Sequence, residues 1–89
     1  MARAASSDST AALQGGFRRS GWTTNDLWVA AVGIGGELRR GDVDAITGGH
    51  RPATRAEHDV LATALNDHFV DQGHDRPVAL WNDLEAARG

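Results

Sequence analysis

The sequence has no cysteine. This excludes a disulfide framework and a thiolate zinc site as sources of stability, and it fits a reducing, cytoplasmic compartment. Lysine is also missing, so all nine basic residues are arginine. A genome rich in G and C explains that better than a special use of guanidinium. No apolar run approaches the roughly 20 residues that span a bilayer, and the N-terminus shows no apolar core of a secretory signal. No membrane partner is expected. Serine is confined to the first 20 residues, which leaves no preorganised nucleophile for a Ser/His/Asp arrangement.

What is present suits one small domain. The 89 residues are 40% hydrophobic, enough for a thin core and too much for a wholly disordered chain. Helix packing or a partner subunit must then supply the stability. The formal net charge of −3 lacks the basic balance of a protein living on phosphate contacts, so a nucleic-acid role needs local clustering of arginine.

The periodicity predicts an all-α, single-domain bundle of four to five short helices behind a flexible N-terminal tail. No window alternates as a strand does. Residues 1–20 are rich in Ala, Ser, Thr and Gly; Gly15 and Gly16 oppose a helix there, and residues 21–89 form the helical domain. The first clear helix starts near Thr23 or Thr24, buries Leu27, Trp28, Ala31 and Val32 on one face, and stops at the glycines from Gly33. A second covers about 38–47 with Leu38, Val43 and Ile46, and Gly41 divides it if Asp42 is the cap. The third, Arg55 to Gln72, opens with the capping box Thr54–Glu57. Its apolar stripe is Val60, Leu61, Ala64, Leu65, His68 and Phe69, with Asp59, Asn66 and Asp67 largely on the other face. The last starts at Pro77, which suits a first helical turn, and buries Val78, Trp81 and Leu84.

Metal chemistry has little support. His50, His58, His68 and His74 never pair at i+3 or i+4, and a set of Asp67, Asp71 and His74 is broken by Gly73. The glycines Gly33, Gly35 and Gly36 follow a helix instead of opening one, so they read as a stop and not as a phosphate cradle. Asp42 and Asp44 have no evident cleft for acid–base work. No cofactor, metal or enzymatic activity is expected.

Ile46, Gly49, Arg51, Thr54 and Leu61-Ala62-Thr63-Ala64-Leu65 stand in the register of the second half of Cro/repressor-type helix-turn-helix domains, which residues 46–65 resemble. The resemblance implies five packed helices, a reading helix at about 40–47 in the DNA major groove and a supporting helix at 27–33. Asp42 and Asp44 would face phosphates from that reading helix, where carboxylates are repelled.

Two functions follow. One is a small non-enzymatic regulator that binds duplex DNA, possible as a homodimer. In it Arg51 and Arg55 grip phosphate, Arg39 or Arg40 reaches a base edge, and His50 joins the patch. The alternative is a protein-interaction module or adaptor that holds its partner through Phe17, Trp22 and Trp81.

Overall fold

The computed structural model describes residues 2–88. They form five helices: α1 (Ala2–Ser20), α2 (Thr24–Gly33), α3 (Arg40–Thr47), α4 (Arg55–Asp71) and α5 (Trp81–Arg88). Among the described residues there is no strand, and no helix is long and apolar enough to cross a membrane. The fold is the expected all-α single domain.

Helix α4 is the axis of the bundle. It packs against α1, α2 and α5, and α3 closes the remaining side against α1 and α2. Leu13, Leu27, Ala31, Val43, Ile46, Leu61 and Leu65 are fully buried between these helices. The capping box opens α4 as expected: the Thr54 hydroxyl accepts from the Glu57 amide at 3.1 Å, and Glu57 accepts from the Thr54 amide at 2.9 Å. Thr23 and Asp26 repeat the device on α2. Gly73 ends α4 at φ +84°, a left-handed position that lets His74 N donate back to Phe69 O at 2.9 Å.

The structure departs from the sequence expectations in several places. Residues 8–20, expected within the tail, belong to α1, with Ser9 and Leu13 fully buried. The physical reason is Gly16, where an added Cβ would stand 2.6 Å from Val78 Cγ2 and 3.2 Å from Leu65 Cδ1. The glycine that opposes a helix by propensity is the one that lets this helix approach its neighbours. Next, α3 starts at Arg40 and is undivided, with Gly41 inside its first turn. Asp42 serves as the third residue of that helix, accepting from the Arg39 amide at 3.0 Å.

The last helix starts at Trp81 and not at Pro77. Asn66, expected on the solvent face, is 4% exposed. Its Nδ2 donates to Val78 O at 2.8 Å and its Oδ1 accepts from Val78 N at 2.9 Å. A backbone whose N–H and C=O are both taken by one amide is held extended. Helix can begin only after it, where Asp59 accepts from Trp81 N at 2.8 Å and Asp83 from Leu80 N at 3.2 Å. Finally, Val32 is 47% exposed instead of buried, because the face of α2 that meets the core carries Leu27 and Ala31.

Candidate interaction surface

Two of the four arginines nominated for DNA, Arg51 and Arg55, are paired with carboxylates. Arg51 donates to both oxygens of Glu57, at 2.9 and 3.0 Å, and its Nη2 lies 3.4 Å from Asp42 Oδ1. The hydrogen bond from Arg51 is the main cause that lowers the Glu57 carboxyl below its ordinary range; burial opposes it and the Thr54 amide adds to it. The same pairing raises the Arg51 guanidinium. Arg55 reaches α5, with Asn82 as a hydrogen-bond partner and Glu85 at 3.8 Å. Arg39 and Arg40 are exposed, and neither forms an ion pair among the described residues. His50 is exposed on the turn after α3.

Helix α3 buries Val43 and Ile46 and leaves Arg40, Gly41 and Asp44 exposed. Its outer face thus offers one guanidinium beside one carboxylate. Asp44 also accepts weakly from Thr24 Oγ1 at 3.5 Å, which ties α3 to the start of α2.

The nominated aromatics are half-buried. Phe17 and Trp22 pack against the core. Trp22 lies over His68 with ring centroids 4.2 Å apart, and His68 Nε2 donates to the Ser20 carbonyl at 3.1 Å. Trp81 meets His58 edge-on at 5.8 Å. Trp28, expected in the core, packs against it and donates from Nε1 to Leu38 O at 2.9 Å. These rings hold α1, α4 and the loops together before they offer anything to a partner.

His58 is fully buried. The Ala79 carbonyl can only accept, so His58 Nε2 donates to it at 2.7 Å. Nδ1 meets the Ser9 hydroxyl, also at 2.7 Å. With both ring nitrogens engaged and no solvent access, this pair joins α1, α4 and the 78–80 strap. It has no opening for a substrate. Among the described residues no group of three or more His, Cys, Asp or Glu could hold a metal.

The surface that the sequence reading missed is apolar. Val29 is 55% exposed, Val32 47% and Ile34 44%. Val29 and Val32 are one turn apart on α2, and Ile34 caps its C-terminus. The signal was in the sequence: from Leu27 to Val32 every residue is apolar. A helix apolar all round cannot bury itself in a thin bundle. Just beyond Ile34, a shallow depression of about 430 Å³ lies between the 35–38 loop and the first half of α4. Leu38, Ala56 and Val60 line its apolar side, and Glu37, Asp42 and Glu57 its polar side.

No protein-family model matches this chain, and neither the curated proteins nor the solved structures yield a match.

Proposed function

We propose that this protein is a small non-enzymatic interaction module that docks a protein partner on the exposed apolar end of α2. The observation that carries the reading is the exposure of Val29, Val32 and Ile34 within six residues of one another. Apolar side chains scattered singly are ordinary on a surface, whereas a contiguous group marks contact. The aromatics Phe17, Trp22 and Trp81 are half-buried in the bundle. A photo-crosslinker at Val32 tests it. The expected result is one cross-linked protein, lost in the Val29→Gln/Ile34→Gln double variant and retained in Arg40→Gln, with unchanged helical circular dichroism throughout. A cross-link indifferent to the double variant overturns the reading.

DNA binding is the second reading, favoured by Arg39 and Arg40 at the start of α3, which form no ion pair among the described residues. Counterion release sets its measurable form. Four arginines on phosphate would give a log–log salt slope of about −3 to −4, whereas these two alone give about −2. Binding to duplex DNA with either slope, abolished by Arg39→Gln/Arg40→Gln, would establish it; no binding at low salt removes it.

A further inference from the structure

We infer that the partner segment is cationic and amphipathic, with an apolar side chain seated in the depression beyond Ile34 and an Arg or Lys beside it at Glu37. This rests on the proposed docking role and names the chemistry of its occupant. The depression adjoins the exposed end of α2 directly, since Gly35 and Gly36 follow Ile34 and border it. Its shape depends on Gly36, where an added Cβ would stand 2.8 Å from both Val60 Cγ1 and Ala31 O. Leu38, Ala56 and Val60 give an apolar side chain something to cover.

Charge selects the neighbour of that side chain. Three carboxylates border the depression, and Arg51 spans two of them, Asp42 and Glu57. Glu37 is exposed and has no partner among the described residues. The local balance is therefore negative even with Arg51 counted. An acidic or phosphorylated segment would be repelled. A purely apolar segment would strip water from Glu37 and return nothing to it. A segment with a cation next to its apolar anchor satisfies both demands, as Arg51 already does for the carboxylates beside it.

The test is an amide chemical-shift titration of the full chain with two blocked tetrapeptides, Arg-Trp-Leu-Arg and Glu-Trp-Leu-Glu. The arginine peptide is expected to shift Gly35, Gly36, Leu38 and Val60, and the glutamate peptide to leave them in place. Glu37→Gln, at an exposed side chain, should weaken the arginine peptide about fivefold, the size of one surface charge pair. Equal shifts with both peptides, shifts centred elsewhere, no shifts, or full affinity in Glu37→Gln each overturn the inference. The Val32 cross-link separates the two levels. If it persists while the arginine peptide fails, the docking surface stands and its occupant is not cationic.

Discussion

Gly15 and Gly16 are adjacent on α1 and meet opposite surroundings. Nothing lies within 4 Å of a Cβ built on Gly15, whereas one built on Gly16 meets Val78 and Leu65. Alanine at either position gains about 1 kcal/mol of helix propensity. At Gly16 the methyl must displace packed atoms, which costs about 1–3 kcal/mol. Gly15→Ala should therefore raise the urea midpoint, and Gly16→Ala should lower it or leave no gain. A gain of equal size in both would mean that α1 does not rest on α4 and the 78–80 strap. Glu57 gives a second residue-scale prediction. Its carboxyl titrates lower in the folded chain than its ordinary value of 4.5, chiefly through the hydrogen bond from Arg51. The stabilisation is then complete above that value and is lost as pH falls through the folded one. Glu57→Gln keeps a capping-box residue and removes the charge. The wild type should exceed this variant by about 1 kcal/mol or less near neutral pH, since the pair is partly exposed. The gap should close in urea melts at acid pH, and a gap that widens there would contradict the pairing.

At the scale of elements, legibility followed the range of the interactions. Helices α2 and α4 were readable because their starts are encoded within four residues, by Thr23 with Asp26 and by Thr54 with Glu57. Helix α1 was not, because what favours it lies far along the chain: His58 for Ser9, and Val78 and Leu65 for Gly16. The start of α5 was misplaced for the same reason. Pro77 satisfies a local rule, but Asn66, on another element, fixes the backbone at Val78. The candidate arginines were legible as residues but not as partners, since the Arg51–Glu57 pair forms only when the turn after α3 folds back onto α4. Asn66→Ala tests the strap. It leaves a buried N–H and C=O of Val78 unsatisfied, at about 1–3 kcal/mol each when no water replaces the amide. The expected result is faster amide exchange at Val78 and Trp81, with the amides of α2 and α3 slowed or unchanged relative to them. Uniform acceleration across all helices would instead mean that the strap has no stability of its own.

The whole molecule is built as one core with no spare helix. Its Cα radius of gyration is 12.0 Å, close to the about 12 Å that its length gives for a compact domain. Helix α1 is part of that count. A chain of this length holds about 4–13 kcal/mol of net stability. Removing α1 takes away fully buried Leu13 and Ser9 and uncovers Leu65, Val78 and the His58 ring. Loss of a buried leucine side chain alone costs about 2–5 kcal/mol. The stripped Nδ1 of His58 adds to that unless water reaches it. The two losses are of the same order as the total, so a chain beginning at Gly21 should show no cooperative thermal transition, and its circular dichroism should fall by more than the missing helix accounts for. A dispensable tail gives the opposite result, with the shortened chain melting within a few degrees of the full one. The docking surface makes the same experiment informative about function. Val29, Val32 and Ile34 stand on α2, which packs on α4 and α3. If α1 is integral, deleting it should abolish the Val32 cross-link as well as the transition. If the cross-link survives in a chain without α1, α2 to α5 hold the surface by themselves.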